Sequence, residues 1–463
     1  MQDDALTTEL ALETIVAIST PPGRGGIGIV RLSGPEACSI AAQLVRLRHP
    51  LAQARARFAF VVDDAGEQID DALVTAFFAP HSYTGEELVE VAAHGSPVVL
   101  DLLVRRALSL GARLAEPGEF TRRAFLAGRI DLTQAEAVHD LIAAETLTQA
   151  RQAASQLGGA LSRRIAPLKQ ELVELIALLE AGIDFAEDDV ELTPASEIAR
   201  RITQLTEPLS ALARSFTRGR IVHDGLTLAL VGRPNAGKSS LFNRLLERER
   251  AIVTATPGTT RDTVNERISL GGIPLELVDT AGLREGEGEA EQIGIERSRQ
   301  AMADAALVLA VFDASECIND EERSLLDSLA NRAALLVLNK CDLAKDQQQP
   351  ATRHALAAST LPLLELSALT GEGIDALRNK ILELATGGSA AESGLLTSLR
   401  HQQAVATSLS ALEDARQAND AAIPHEMLLL DLYRALWALD SLTGQTTPDD
   451  VLNLIFSTFC IGK

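Results

Sequence analysis

The chain has 463 residues, of which 46% are hydrophobic and 23% are charged, so it can bury sizeable cores and exceeds what one core usually organises. We therefore expect about two or three domains. Its formal net charge of −22 opposes phosphate backbones and excludes a protein that grips nucleic acid unaided. If RNA is the substrate, we expect a partner to supply much of the grip.

The cysteines and the N-terminus place the chain in a broad class. The four cysteines are scattered, which argues against a zinc site or a disulfide framework and favours reduced thiols: Cys38, Cys317, Cys341 and Cys460. The N-terminus is acidic and lacks the features of a signal peptide, and no uncharged apolar run is long enough to cross a bilayer. We expect a soluble, cytoplasmic protein without a membrane partner.

The N-terminal region alternates β-branched runs with turn residues. From about residue 13 to 95 the runs TIVAIST, GIGIVRLSG, ARFAFVVDD, DALVTAFFAP and LVEVAAHG predict strands. A helix is expected after Pro35, and another from Ser96 towards Leu110, ended by Gly111. The pattern predicts a compact α+β domain.

Helical periodicity follows from Asp131 to about Gly219. Its apolar residues recur at spacings of three and four, as in Leu168, Leu172, Leu175, Ile176 and Leu179. Helices are expected again after Gly388. We infer that the two helical segments pair into one all-α domain, although a sequence alone does not show such pairing.

Strands and helices alternate between Leu226 and about Leu384. The runs TLALVG, IPLELVDT, ALVLAVFDAS and AALLVLNK are nearly continuous apolar strands, typical of a parallel sheet covered on both faces. The fold class is therefore multidomain: an N-terminal α+β domain, an all-α helical domain and an inserted α/β P-loop domain. The expected boundaries are 1–127, 128–222 (helical, first part), 223–386 (inserted) and 387–463 (helical, second part).

A phosphate-binding loop carries the main chemical signal. The run GRPNAGKS from Gly232 to Ser239 follows a strand and opens a helix, which is the context that such a loop requires. Its glycines let backbone N–H groups turn towards phosphates, Lys238 suits the β- and γ-oxygens, and the Ser239 hydroxyl suits Mg²⁺. A chance match is the alternative.

The base is predicted by the run NKCD that ends another strand. The Asp342 carboxylate can accept the two donors of guanine, N1–H and N2–H, which adenine does not present. A turn-forming Asn/Asp pair is the simpler alternative, but the place of the run after a strand favours GTP over ATP. The run SAL from Ser367 to Leu369 follows a further strand, where such domains make a backbone contact to the base.

Two loops supply the remaining nucleotide contacts. The run DTAG, from Asp279 to Gly282, is where an NTPase holds Mg²⁺ through water and senses the γ-phosphate, and Leu283 follows where Ras-like enzymes carry a glutamine. The run TATPGTTRD predicts a mobile first switch with Thr260 on Mg²⁺, or else an ordinary polar turn. The predicted GTP-binding residues are Asn235, Ala236, Gly237, Lys238, Ser239, Ser240, Thr254, Ala255, Thr256, Pro257, Gly258, Thr259, Thr260, Asp279, Thr280, Ala281, Gly282, Asn339, Lys340, Asp342, Ser367 and Ala368.

At this point the sequence resembles the MnmE/TrmE family of tRNA-modification GTPases over essentially its whole length. The resemblance rests on PPGRGGIGIVRLSG, PGEFTRRAFLAGRIDLTQAEAV, GRPNAGKSSL, GTTRD, DTAGLRE, IGIERS and the terminal SLTG…DDVLNLIFSTFCIGK. The family's enzymes are homodimers that need K⁺. The resemblance places Asn235, Thr254, Thr256 and Thr259 around that ion, which stands in for an arginine finger.

The same resemblance assigns the catalytic group. Glu291 matches a glutamate that orients the attacking water through a second water, a task that Leu283 cannot perform. Lys238 and Asn235 complete the predicted catalytic residues. Taken alone, Glu291 reads as a solvated charge in an acidic run, and Asn235 as a loop cap.

The resemblance also implies a folate site in the N-terminal domain, at a dimer interface. Arg31, Glu90, Arg129 and Lys463 match contacts to 5,10-methylenetetrahydrofolate or 5-formyltetrahydrofolate, although a lysine is expected where Arg129 stands. Taken singly, these residues read as surface ion pairs. Cys460 lies near the presumed modification site and is either a nucleophile or a semi-buried structural thiol; the CIGK end does not fit a prenylation box.

The implied function is modification of C5 of the wobble uridine, U34, of certain tRNAs with an aminomethyl or carboxymethylaminomethyl group. A flavoprotein partner resembling MnmG/GidA, in a heterotetramer, would carry the FAD and supply electrons. One alternative is a regulatory GTPase of the ribosome-assembly type, which shares the phosphate motifs but usually adds a basic domain. The other is a folate enzyme with a vestigial G domain, against which the intact nucleotide motifs argue.

Overall fold

The computed structural model describes residues 13–184, 193–249, 265–279, 302, 305–343, 349–386, 396–445, 455, 459–460 and 462. The chain folds into two compact units. The first unit comprises Met1–His139, Gln156–Lys169 and Leu436–Lys463, and the second comprises Asp140–Ser155 and Gln170–Ala435. The domain boundaries expected from the sequence are a different division of the chain and stay a prediction.

The first unit is built on a seven-stranded sheet with the order β3-β4-β5-β6-β2-β1-β7. Its strands are β1 (Ile15–Ile18), β2 (Gly25–Ser33), β3 (Val45–Leu47), β4 (Ala56–Val62), β5 (Gln68–Phe77), β6 (Leu88–Gly95) and β7 (Arg113–Leu114). All five predicted strands are present. The edge strands β3 and β7 were not predicted, because two or three residues are too few to show a period of two.

Two helices cover the buried face of this sheet. They are α1 (Ala37–Leu44) and α2 (Pro97–Ser109), and both were predicted. Leu44 and Leu103 are fully buried among the inward side chains of the strands, such as Val61 and Val91. The chain leaves α2 through Gly111, whose φ of +102° suits a residue without a side chain.

The predicted helical segments are also present. Their helices are α3 (Glu119–Leu126), α4 (Leu132–Ala143), α5 (Leu147–Leu157), α6 (Ala160–Asp184), α7 (Ala195–Arg214) and α8 (Phe216–Asp224) before the α/β region. In α6 the expected apolar face is buried at Leu172, Leu175 and Leu179 and half-buried at Leu168. None of the helices in the described ranges is long and apolar enough to cross a membrane.

The helical segments on the two sides of the α/β region pair within the second unit. Two further helices, α13 (Leu399–Asp420) and α14 (His425–Thr443), follow the α/β region, which itself contains α9 to α12. The Asn419 side-chain amide in α13 donates to the Ala195 carbonyl in α7 at 3.0 Å. The Tyr433 hydroxyl in α14 donates to Glu180 in α6 at 2.6 Å. These contacts join the two segments within the second unit, and their union into one all-α domain stays a prediction.

The α/β region forms a six-stranded sheet with the order β13-β12-β11-β8-β10-β9. The strands are β8 (Leu226–Val231), β9 (Asn265–Leu270), β10 (Ile273–Asp279), β11 (Leu307–Asp313), β12 (Ala334–Asn339) and β13 (Leu363–Glu365). The helices are α9 (Lys238–Glu249), α10 (Asp320–Leu329), α11 (Gln349–Ala357) and α12 (Ile374–Thr386). Every residue of β11 and β12 is buried, as expected of strands covered on both faces.

The edge strand β9 corrects the expectation of a purely parallel sheet. It runs antiparallel to β10, whereas the other neighbouring pairs are parallel. Its sequence, NERISL, lacks the continuous apolar run of the inner strands, because an edge strand has a neighbour on only one side. The two strands form a hairpin that turns at Gly271 and Gly272.

A histidine with two acidic partners joins helices of the second unit. His223 in α8 contacts Asp140 in α4 at 3.0 Å and Asp224 at 2.7 Å. The hydrogen bond with Asp140 is the largest of the influences that raise the pKa of His223 to about 9. The protonated ring therefore holds α8 against the end of α4.

We predict a pH-dependent contribution of His223 to stability. Because its folded pKa of about 9 lies above its unfolded value, the contribution is complete below about pH 6.5 and is lost as the pH rises through about 9. The melting temperature of His223→Gln should fall furthest below that of the wild type near pH 6.5, and the gap should close by about pH 10. His49→Gln, at an exposed histidine, is the control. A gap that is constant with pH would contradict the prediction.

Candidate functional site

The phosphate loop joins β8 to α9, and close packing shapes both of its ends. Gly232 has φ +146°, and a Cβ there would come within 2.3 Å of the Val311 carbonyl oxygen in β11. At Gly237, with φ +94°, a Cβ would come within 2.2 Å of the Asn339 side-chain nitrogen. Asn235 between them is exposed and has φ +65°, a conformation that asparagine tolerates better than most residues. Only glycine fits at the two ends of this loop.

Lys238 occupies the inside of the loop. Its side chain is buried, and its ammonium group donates to the carbonyl oxygens of Gly232 and Arg233 at 2.8 Å each. Ser239 and Ser240 follow in the exposed first turn of α9. A helix N-terminus with a lysine beside it attracts anions, because free N–H groups and the helix dipole add to the lysine charge.

Asn339, at the end of β12, supports the phosphate loop through its side-chain amide. It is buried, and its side-chain N–H₂ donates to the Ala236 carbonyl at 2.9 Å. Its side-chain oxygen accepts from the Ala368 backbone N–H at 2.9 Å. One amide therefore connects the phosphate loop to the loop at Ser367–Leu369 that the sequence assigns to the base.

Asp342 presents a buried acceptor. Its Oδ1 is shielded from solvent and has no hydrogen-bond partner among the described residues. A buried carboxylate oxygen without a donor is costly, and the N1–H and N2–H groups of guanine are donors of the kind that would satisfy it. This acceptor therefore fits the N–H donors of a guanine base.

Lys340 and Asp313 form an ion pair beside this carboxylate. The Lys340 ammonium lies 2.7 Å from Oδ2 of Asp313, which ends β11 and is almost fully buried. Burial alone would raise the pKa of Asp313, but hydrogen bonds from Lys340 and Ser315 hold it below its usual value. The pair fixes the Lys340 side chain at the edge of the sheet next to Asp342.

Sequence reasoning missed two arginines that support these loops. Arg233 in the phosphate loop pairs with Glu316 at 2.7 Å and with Glu322 at 3.3 Å. In α9, Arg244 donates through Nε to the Ala368 carbonyl at 3.0 Å and through Nη2 to the Leu369 carbonyl. Their partners lie far along the chain, so no local spacing indicates them.

Part of the predicted site lies outside the described residues. These residues are Thr254, Ala255, Thr256, Pro257, Gly258, Thr259, Thr260, Thr280, Ala281, Gly282, Glu291 and Lys463. The backbone of Asp279 is described, and it pairs with Leu230 of β8, two residues before the phosphate loop begins. The described ranges contain no group of three or more His, Cys, Asp or Glu side chains that could hold a metal ion.

A second set of predicted residues meets in the first unit. Arg31 in β2 bonds Oε1 of Glu90 in β6 through Nη2 at 2.6 Å and through Nε at 3.0 Å. Its Nη1 donates to the Gly462 carbonyl at 3.3 Å, and the Ser19 hydroxyl donates to the same oxygen at 2.8 Å. The guanidinium carbon lies 5.6 Å from the centre of the Phe120 ring. Ser19 and Phe120 were not predicted, since neither belongs to a recognisable spacing.

The C-terminal segment lies against the same strands. A Cβ on Gly462, where φ is +97°, would come within 2.4 Å of the Ile18 carbonyl oxygen. Cys460 is exposed, and its carbonyl accepts from the Gly118 N–H at 3.5 Å. Arg129 is also exposed, and no described contact joins it to Arg31 or Glu90.

Solved structures match part of the chain. The chain is 29% identical to the G domain of the T. maritima FeoB iron transporter, covering 35% of this chain and 98% of that one with a TM-score of 0.25. It is 25% identical to Aquifex aeolicus Era bound to GDP and AlF₄⁻, covering 40% and 66% with a TM-score of 0.29.

Curated relatives match along nearly their whole length. The chain is 58% identical to the tRNA modification GTPase MnmE of Koribacter versatilis over 97% of this chain and 99% of the relative. It is 43% identical to that of Symbiobacterium thermophilum over 97% and 99%, and 40% identical to that of Aquifex aeolicus over 97% and 100%. Family models match too: the GTP-binding protein TrmE N-terminus over residues 14–129 and the MnmE helical domain over residues 132–460. With both family models and full-length relatives matched, the chain belongs to the MnmE/TrmE family.

Proposed function

We propose that this chain is a GTP hydrolase that acts in tRNA modification. The observation that supports guanine most directly is the buried Oδ1 of Asp342 at the end of the NKCD run, which has no hydrogen-bond partner in the described part of the chain. The phosphate side is supported by Lys238 and the N-terminus of α9, which together suit a triphosphate. The relatives are named tRNA modification GTPases, which supports the same activity here.

In this proposal the chain's own groups bind and orient the nucleotide. Lys238 exchanges its two carbonyl acceptors for β- and γ-phosphate oxygens, and Ser239 offers its hydroxyl to Mg²⁺. Asn339 keeps the phosphate loop and the base loop at a fixed separation through its two hydrogen bonds. Bound Mg²⁺ supplies charge neutralisation at the phosphates. Thr260 would bind Mg²⁺ through its hydroxyl and Asp279 would hold it through water, as in other P-loop NTPases, and Glu291 would orient the attacking water, as the family resemblance implies.

Asp342→Asn is expected to change the base preference. An amide presents a donor where the carboxylate accepted, so guanine loses a charge-assisted hydrogen bond and xanthine, with an oxygen at C2, gains a partner. We expect affinity for GDP to fall by about 100-fold and affinity for XDP to rise, because one such bond contributes roughly 1.5–3 kcal/mol. Titration calorimetry with both nucleotides measures the exchange.

The matched control for this prediction is Asp327→Asn, at an exposed carboxylate on α10. It should bind GDP as the wild type does. A loss of GDP affinity in Asp342→Asn without any gain for XDP, in protein of unchanged melting temperature, would contradict the assignment of the base contact.

We further propose that hydrolysis depends on K⁺ and occurs in a homodimer. The cation would neutralise charge that develops between the β- and γ-phosphates, the role that an arginine finger fills elsewhere. Asn235 supports this proposal, because it is exposed within the phosphate loop and a side-chain amide oxygen is a suitable ligand for a hard cation. Thr254, Thr256 and Thr259 are proposed to complete the ion's shell, and Glu291 to orient the attacking water.

The potassium proposal predicts a rate that rises with K⁺ and not with Na⁺. In Asn235→Lys the added ammonium should compete with the ion, so the response to K⁺ should be lost. The rate enhancement at stake is of the order of 10³-fold. Turnover is measured against K⁺ concentration at constant ionic strength, with Asn243→Lys, at an exposed asparagine in α9, as the matched control. Equal rates in Na⁺ and K⁺ would discredit the ion, and an unchanged response in Asn235→Lys would remove Asn235 from its site.

The proposed substrate is the wobble uridine U34 of certain tRNAs, modified at C5 together with a flavoprotein partner that carries FAD. A net charge of −22 supports the need for such a partner, because the chain repels the RNA backbone. The one-carbon donor is proposed to be a tetrahydrofolate derivative held by Arg31, Glu90, Arg129 and Lys463. The pairing of Arg31 with Glu90 places a donor group and an acceptor group side by side, which suits one end of such a ligand.

Cells that lack the gene should lose the aminomethyl-type group from wobble uridine, as measured by mass analysis of tRNA nucleosides. The wild-type gene should restore it. Glu90→Gln should not restore it, because the amide no longer accepts two pterin N–H groups, yet the purified variant should keep its GTP turnover. Glu67→Gln, at an exposed carboxylate in the same unit, is the control. Unchanged wobble nucleosides in the deletion would favour a regulatory GTPase instead.

A further inference from the structure

The loop between α4 and α5 meets the β9–β10 hairpin within the second unit. Thr146 in this loop is buried, and its hydroxyl donates to the Gly272 carbonyl oxygen at the hairpin turn at 2.8 Å. The same hydroxyl accepts from the Gln149 backbone N–H at 3.2 Å, as an N-cap of α5 does. One hydroxyl thus caps a helix and holds the turn of a hairpin in the α/β region.

Steric contacts enclose the turn on two sides. A Cβ on Gly272 would come within 2.0 Å of the Thr148 hydroxyl oxygen, and a Cβ on Gly271 within 2.7 Å of Leu382 Cδ1 in α12. Both glycines have positive φ, at +86° and +58°. The turn therefore has little room to move between the loop and α12.

The loop that holds the turn is itself held. Oε1 of Gln149 accepts from the backbone N–H groups of Glu145 and Thr146, at 2.9 Å each. Nε2 of Gln149 donates to the His223 carbonyl in α8 at 2.8 Å. Arg267 in β9 contacts Glu145 at 2.6 Å. These contacts make the loop a fixed support for the hairpin.

The hairpin connects this support to the phosphate loop. β10 runs from Ile273, next to the turn, to Asp279 at the other end. At about 3.3 Å per residue this distance is roughly 20 Å. Asp279 pairs with Leu230, two residues before Gly232. The turn and Asp279 are therefore the two ends of one strand, which joins the support to the phosphate loop.

We propose that Thr146 is a positioning residue for GTP hydrolysis, acting through the β9–β10 hairpin. The inference rests on the proposed GTPase activity and extends it to a residue outside the α/β region. By holding the Gly272 carbonyl, Thr146 keeps β10 at the place where Asp279 stands beside the nucleotide. Release of this hydrogen bond lets the strand end shift and lowers turnover, while binding of the base and the phosphates, which other loops provide, is retained.

Three substitutions separate the two roles of the hydroxyl. Thr146→Ser keeps both the helix cap and the bond to Gly272. Thr146→Asp keeps a capping acceptor for Gln149 but has no proton to donate to the Gly272 carbonyl. Thr146→Val removes both. Thr203→Val, at an exposed threonine whose hydroxyl bonds Ala199 in its own helix, is the matched control.

Turnover is measured against GTP concentration, with GDP affinity measured in parallel. Thr146→Ser and Thr203→Val should match the wild type. Thr146→Asp and Thr146→Val should lower kcat by about three- to tenfold with KM and GDP affinity nearly unchanged, since one hydrogen bond is lost. Hydrogen exchange at residues 270–275 should be faster in the Asp and Val variants than in the Ser variant.

The outcomes distinguish this inference from the proposed function. A wild-type chain that binds GTP without turning it over would refute the proposed function and this role with it. Wild-type turnover together with an unchanged kcat in Thr146→Asp would refute this role alone. A loss confined to Thr146→Val that follows its melting temperature would show that the hydroxyl only caps α5, and would also overturn the proposal.

Discussion

The nucleotide site depends on one buried side-chain amide. Asn339 donates to Ala236 in the phosphate loop and accepts from Ala368 in the base loop. Both loops follow the carboxyl ends of parallel strands, where ligands bind in such sheets. A buried amide with both partners supplied fixes the distance between them, because losing either partner leaves a polar group unsatisfied in a place that water does not reach.

Close packing sets the shape that this amide holds. Gly237 leaves no space for a Cβ beside Asn339, and Gly232 leaves none beside Val311, so the loop rests directly on β11 and β12. Those strands are buried along their whole length and cannot yield without opening the core. Around this rigid centre the charges of Lys340 and Asp313 pair with each other, while Oδ1 of Asp342 is left for a ligand. Packing thus preorganises the described part of the site, and the proposed selectivity for guanine rests on this open acceptor.

The sequence predicted the inner strands and the main helices, because continuous apolar runs and helical spacing are local signals. It did not predict β3, β7 or β9, which lie at the edges of their sheets and have a neighbouring strand on one side only. β3 and β7 are also only three and two residues long. The phosphate loop and Asp342 were found through their motifs. Arg233, Arg244 and Thr146 were not found in this way. Arg244 and Thr146 bond to residues more than a hundred positions away, and Arg233 forms an ion pair with Glu316 in another loop. Such contacts exist only once the chain has folded.

The first unit shows the same dependence on distant residues at Arg31. Its guanidinium group donates two hydrogen bonds to Glu90, from Nε–H and from one N–H of Nη2. One N–H of Nη1 donates to the Gly462 carbonyl. A guanidinium has five N–H donors, so two remain for a ligand carboxylate without breaking these bonds. Glu90 reduces the net charge that such a ligand meets, which disfavours a simple anion and favours a molecule that brings donors as well as a carboxylate. The pair therefore suits an amphoteric ligand better than an inorganic anion, and the hydrogen bond from the same arginine to the Gly462 carbonyl holds that residue, two positions after Cys460, against β2.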